Sequence, residues 1–273
     1  MAGDERVPAQ IDPTVPSVAR MYDYYLGGKD NFPADREAAE QVIELGRQTG
    51  TDIREVALAN RGFLIRGVRE LAQAGIRQFL DIGTGLPTQD NVHQVVQRVT
   101  PDARVVYTDN DPIVLAHARA LLADNPSTII VDADLRRPES VLEAAAGHLD
   151  FTQPTAIVIA AVLHFLHDDA EVARIVETLR RPLVPGGYLM ISHAYIEPGV
   201  GEEATVDEVR GVYGRSTSGA FAWRGREALH GYFEGLELLD PGVVPAQQWR
   251  NDDPYAWPGL AKGGVLAGVA RVP

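Results

Sequence analysis

The sequence predicts an α/β fold: a Rossmann-like, seven-stranded, mostly parallel sheet carrying an N-terminal helical cap. Three observations predict it. Short apolar runs alternate with helical stretches through the middle of the 273-residue chain. Those runs are apolar throughout, as strands buried on both faces of a parallel sheet must be. A glycine-rich turn follows the first of them and opens a helix.

The elements follow in order. The first stretch, about 15 residues, is proline-rich and polar and folds only against the body, if at all. Residues 35–50 and 52–74 are helical, the second with Ile53, Val56, Ala57, Phe63, Leu64, Val68 and Leu71 mostly on one face and Gly75 as its C-cap. Strands are expected at 78–82, 104–108, 128–131, 155–160 and 188–193, with helices at 91–99, 112–122, 140–149 and 170–179 between them. In the last helix Val172, Ile175, Val176 and Leu179 recur at helical spacing, and Asp168 or Asp169 caps its start. An irregular insertion, a helix at 226–233 and a hairpin-like pair of strands at 236–244 and 264–272 close the chain. Residues 1–74 therefore read as a cap and 75–273 as the sheet domain, with 195–235 an insertion on the acceptor side.

Composition narrows the function. The formal charge is −13, and such diffuse acidity argues against a nucleic-acid partner, because phosphate binding relies on clustered Lys and Arg. No apolar run approaches a membrane span, the N-terminus lacks the pattern of a signal peptide, and there is no cysteine for disulfides or thiolate metal sites. A cytoplasmic protein without a metal or a membrane partner is the expectation; oligomeric state stays open.

The sharpest local signal is Asp81-Ile82-Gly83-Thr84-Gly85-Leu86-Pro87-Thr88. Gly83 and Gly85 permit backbone angles closed to other residues and let a ligand approach the main chain. A dinucleotide site wants a third glycine at the place of Thr88, with amides at the helix start to hold a pyrophosphate. Pro87 removes one such amide. S-adenosylmethionine has no phosphate, and Asp81 suits its ammonium group, so this cofactor is preferred and NAD(P) is second. Asp109, beside Asn110 at the end of the second strand, is placed to accept from ribose hydroxyls. After the third strand, Asp134 is favoured over Asp132 for the adenine amino group, with the Leu135 amide for a ring nitrogen. Ala160, ending the fourth strand, completes the set.

Together with Pro185-Gly186-Gly187 before the fifth strand, these residues resemble class I S-adenosylmethionine-dependent methyltransferases over roughly 75–195. The segment Ser17–Phe32, the stretch Gly235–Gly242 and Trp257-Pro258-Gly259-Leu260-Ala261 are similar to an actinobacterial family of S-adenosyl methyltransferase-like proteins, a match that covers nearly the whole chain. The resemblance implies the fold and the cofactor; it implies no acceptor. Within Arg20–Phe32, Tyr22 and Tyr25 read as a roof over the cofactor, with Arg20 meeting the methionine carboxylate and Gly27-Gly28 turning above it. A structural clamp filling the core is the compatible alternative.

Methyl transfer from a sulfonium needs alignment and exclusion of water, and some acceptors also need a base. His164, after the fourth strand, is the first base candidate and His193, on the fifth, the second; both also fit as structural residues lining the cleft. In the insertion, Tyr213, Phe221 and Trp223, with Tyr195 upstream, suit a planar or apolar small molecule. Three readings follow: a small-molecule methyltransferase, a non-catalytic S-adenosylmethionine binder, and an NAD(P)-dependent oxidoreductase. The last is disfavoured by Pro87 and Thr88 and by the want of a Tyr-x-x-x-Lys pair within the sheet domain.

Overall fold

The computed structural model describes residues 11–87, 90–122, 125–197, 203–251 and 263–273. Thr88 and the 257–261 stretch lie outside the described residues. Five parallel strands form the centre: β1 (Gln78–Ile82), β2 (Arg104–Asp109), β3 (Thr128–Asp132), β4 (Ala156–Ala160) and β5 (Tyr188–Ile196). Two short strands, β6 (Glu237–Leu238) and β7 (Val244–Pro245), precede the long β8 (Gly263–Arg271). The order is β3-β2-β1-β4-β5-β8-β6, with β7 also paired to β8 and β8 antiparallel to β5.

This is the expected mixed α/β sheet with one difference near its end. The strand expected at 236–244 is split into β6 and β7. Pro241 has no amide to donate and Gly242 takes a φ of +85°, so the chain turns there, closed by the Gly242 N–H on the Leu239 carbonyl at 2.8 Å. Both fragments still pair with β8, β6 at its C-terminal end and β7 at its middle.

Alternation along each strand feeds two cores. Phe79 of β1 points into one, with Val105, Val158, Met190 and Val269; Leu80 and Ile82 point into the other, with Val106, Ile157 and Ile191. Helix α3 (Ile53–Gln73) covers the first face through Phe63, Leu64, Val68 and Leu71, so it belongs to the sheet's own helical layer. Asp52 caps it by accepting from the amides of Arg54 and Glu55. Between the strands run α4 (Val92–Val99), α5 (Pro112–Leu121), α6 (Pro138–Ala146) and α7 (Asp169–Arg180). Asp111 caps α5 and Asp168 caps α7, each through its side chain.

The cap proper is α1 (Val18–Tyr25) and α2 (Pro33–Gln48). Two helices lie in the region after β5: α8 (Glu203–Gly214), which the sequence reading left irregular, and α9 (Arg226–Tyr232). Met21, Tyr25, Ala39, Val42 and Ile43 of the cap share one apolar cluster with Val212, Tyr213 and Phe221 of the insertion. Cap and insertion therefore close over the sheet as a unit. Among the described residues no helix is long and apolar enough to cross a membrane.

Candidate active site

The strand order reverses between β1 and β4, and in open α/β sheets that crevice at the carboxyl ends of the strands receives ligands. A cavity of about 440 Å³ opens there. One end is polar, lined by Arg61, Asp81, Asp109, Asn110, Asp111 and Asp134; the other is aromatic, lined by Tyr25, Phe165, Tyr213, Phe221 and Trp223.

At the polar end the loop after β1 is shaped by its neighbours. Gly83 (φ +69°) and Gly85 (φ +67°) both sit in the left-handed region, and a Cβ on Gly83 would lie 2.6 Å from Val162 Cγ2. Val162 is pressed there by Ala161, whose own φ is +54° and whose amide is held by Ser192 Oγ (3.0 Å) and the Ser192 carbonyl (3.1 Å). Asp109 fixes the same loop from β2. Its Oδ2 accepts from Gly85 N–H (2.9 Å), and its Oδ1 accepts from the amides of Asn110 (2.8 Å) and Asp111 (2.9 Å). Three of the roughly four acceptor sites of a carboxylate are thus used, leaving one at Oδ2 for a hydroxyl. Burial raises the Asp109 carboxyl, those amides opposing it.

Asp81 is buried beside Thr84, whose Oγ1 donates to it at 3.2 Å. Burial pushes its carboxyl up to about 7, with Arg61 and Thr84 working against the shift and Asp109 adding to it. After β3, Asp134 lines the cavity whereas Asp132 is exposed and does not. Burial works against the Asp134 charge, but the Arg136 side chain and amide outweigh it and hold that carboxyl low. Leu135, Ala160, Tyr22 and Tyr25 also line the cavity. Tyr22 is held by a chain of hydrogen bonds: Ser192 Oγ donates to Asn60 Oδ1 (2.6 Å), Asn60 Nδ2 to Tyr22 OH (2.9 Å), and Tyr22 OH to the Ala57 carbonyl (3.1 Å).

The family model for S-adenosyl methyltransferase matches residues 4–273. The chain belongs to this family. Its cofactor is S-adenosylmethionine, and the polar end fits it: carboxylates for an ammonium and for ribose hydroxyls, glycines that let a ligand reach the main chain, and no amide at Pro87 for a pyrophosphate. Two similar structures are a DUF574 family protein from Streptomyces avermitilis and a candidate methyltransferase from Thermobifida fusca. The first is 38% identical, with 96% of this chain and 99% of that one covered and a TM-score of 0.86. The second is 41% identical, with 98% of each chain covered and a TM-score of 0.86. No curated protein matches the chain.

For the family member described here, the placement departs from expectation at Arg20, Gly28 and His193. Arg20 does not line the cavity; it is buried, with Nε 2.7 Å from Asp35 Oδ2 and Nη2 donating to the Val15 carbonyl at 2.6 Å. Asp35 is a fully buried carboxylate, and a buried charge demands a partner, so the arginine turns inward to it. Gly28 likewise serves the cap itself, since a Cβ there would lie 1.9 Å from Asp23 Oδ1. His193 does not line the cavity. Its Nδ1–H donates to the Ala194 carbonyl (2.7 Å) and its Nε2 accepts from Arg224 Nη1 (3.1 Å), which leaves no lone pair, and burial takes it down to about 4. His164 does line the cavity, but its Nδ1 lone pair accepts the Ala194 N–H at 3.3 Å.

Three residues were missed by the sequence reading. Arg61 and Asn60 both line the polar end, and Arg61 Nη2 donates to the Asp90 carbonyl at 2.9 Å. Asn60 carried a signal: a polar residue on the apolar stripe of α3, between Ala57 and Leu64. Arg224, buried within the insertion, donates to the carbonyls of Leu166 (3.0 Å) and His167 (3.2 Å) and pairs with Asp169 at 2.8 Å. It has no sequence pattern, because its partners come from a loop about 60 residues away in chain order.

Proposed function

We propose that the chain transfers the methyl group of S-adenosylmethionine to a small-molecule acceptor seated at the aromatic end of the cavity. The observation that carries this reading is that one cavity joins both ends, so a cofactor and an acceptor can share a space closed by the cap and the insertion. In this reading Asp109 takes the ribose, Asp134 and the Leu135 amide take the adenine, and Asp81 meets the ammonium. Arg61, rather than Arg20, meets the methionine carboxylate. Asn110 and Ala160 wall the nucleoside and Tyr22 roofs it, with Tyr25, bonded to Tyr213, standing at the aromatic end. When bound, the cofactor supplies a methyl group already activated on sulfur. The protein aligns the acceptor and excludes water, Tyr213 and Phe221 offering a stacked pair 4.4 Å apart as one wall.

Calorimetric titration with S-adenosylhomocysteine, with NAD⁺ in a parallel cell, tests the reading. Binding of the former alone is expected, lost in Asp109→Ala; binding of NAD⁺ alone would sink it. Arg61→Ala is expected to weaken S-adenosylhomocysteine roughly ten-fold while leaving 5′-methylthioadenosine, which lacks the amino-acid group, unchanged. A second reading, binding without turnover, is favoured by the spent lone pairs of His164 and His193. Methylated product from any acceptor would exclude it.

A further inference from the structure

His164 has one proton and one lone pair, and the fold decides where each points. The Ala194 N–H can only donate, so Nδ1 must accept and Nε2 must carry the proton. That Nε2–H has no protein partner among the described residues, and the ring lines the cavity against Phe165 and Phe221. Behind it stands a buried cation: Arg224 Nη1 is 3.1 Å from His193 Nε2, its carboxylate partner Asp169 is exposed to solvent on the Nε side of the guanidinium, and the two histidine rings lie 5.5 Å apart.

The other titratable groups around His164 hold their protons or lack a lone pair. Tyr25 and Tyr213 share a hydrogen bond at 3.1 Å and are both raised by burial, Tyr213 to about 12. Tyr195, further along β5, is raised by burial too. His193 has both nitrogens engaged. The carboxylates of the cavity stand on β1 or at the ends of β2 and β3. The aromatic end thus offers a hydrogen-bond donor, a positive field and flat apolar walls, with no base among the described residues lining it.

Resting on the methyl-transfer reading above, we propose that the acceptor is a flat aromatic hydroxy compound bound as its oxyanion, with His164 Nε2–H donating to the oxygen that is methylated. Lone-pair count selects oxygen over nitrogen. A phenolate oxygen accepts from His164 and still has a pair for attack, whereas an amine nitrogen has one pair for both. In the step, that oxygen forms the C–O bond to the methyl carbon as the C–S bond breaks and its electron pair stays on sulfur. No proton moves.

4-Nitrophenol reads this out, because its phenolate absorbs visible light and the phenol does not. It is titrated with pH in the presence of protein saturated with S-adenosylhomocysteine. The bound probe is expected to ionise at least about one pH unit below the free probe, a roughly ten-fold preference for the anion. His164→Asn, whose Oδ1 still accepts the Ala194 N–H but whose NH2 stops short of the position of His164 Nε2, is expected to lose that shift. His164→Gln, which restores a donor at that distance, is expected to recover it. An unmoved or raised ionisation midpoint overturns the proposal, as does a shift that survives in His164→Asn or a probe that fails to bind the loaded protein. If His164→Asn does not fold, the direction of the wild-type shift still decides. Failure of S-adenosylhomocysteine itself to bind would instead overturn the reading on which the proposal rests.

Discussion

Below about pH 7 the buried Asp81 keeps its proton, and that single proton couples stability to binding. In the unfolded chain an aspartate ionises near 4, so between there and about 7 the unfolded state releases a proton that the fold retains. Stability therefore falls as pH rises through this window, while attraction for an ammonium grows. Asp81→Asn is expected to unfold a few degrees higher than the native chain at pH 8 and no higher at pH 4, and to lose the rise in S-adenosylhomocysteine affinity above pH 7. Thermal melts and calorimetry at those pH values check both signs. Gly83 and Gly85 offer a cleaner contrast. Both have positive φ, but only Gly83 faces Val162, a Cβ at Gly85 meeting nothing within 4 Å. Denaturant unfolding should give about 1 kcal/mol lost for Gly85→Ala and about 2–4 kcal/mol for Gly83→Ala, where overpacking adds to the backbone cost.

Among the elements, α2 lies where the helix at 35–50 was expected, whereas α1 was not read in advance, although its chemistry is local. Asp35 Oδ1 accepts from Ser17 N–H (2.8 Å) and Oδ2 from Phe32 N–H (2.7 Å), while Ser17 Oγ reaches Asp111 at 2.5 Å. One buried carboxylate thus ties the start of α1 to the start of α2, and Ser17 ties the cap to the loop that starts α5. Arg20→Met leaves this carboxylate without its cation. The expected loss is about 3 kcal/mol in denaturant unfolding, with S-adenosylhomocysteine affinity changed much less than by Arg61→Ala. The reverse ranking would return Arg20 to the ligand. Helix α3 was legible because its apolar stripe is long and regular. Helix α8 was not, since Val212 and Tyr213 are its buried residues and leave no stripe to detect.

For the whole molecule, 38 acidic residues against 25 basic ones set the net charge at −13, and folding concentrates that charge. Raising ionic strength from about 0.01 M to about 0.15 M shortens the Debye length from roughly 30 Å to 8 Å, so the repulsion is screened. The melting temperature is expected to rise over that range in scanning calorimetry. A fall would mean that surface ion pairs such as Arg77–Asp102 and Arg54–Glu40 outweigh the repulsion.

By itself the sequence determined the layers, the strand order's starting motif and the cofactor end of the cavity. Those features rest on period, glycine placement and short-range turn chemistry, all written in consecutive residues. Only the tertiary structure decided which arginine and which aspartate after β3 line the cavity, and where the nitrogens of the two histidines point. Arg20 meets Asp35 within the cap, while Arg61 lines the cavity from α3 beside Asn60. His164 and His193 lose their lone pairs to Ala194 and Arg224 across β5. Such assignments depend on where a proton or a lone pair points once distant segments are packed together, and spacing along the chain holds no record of that direction.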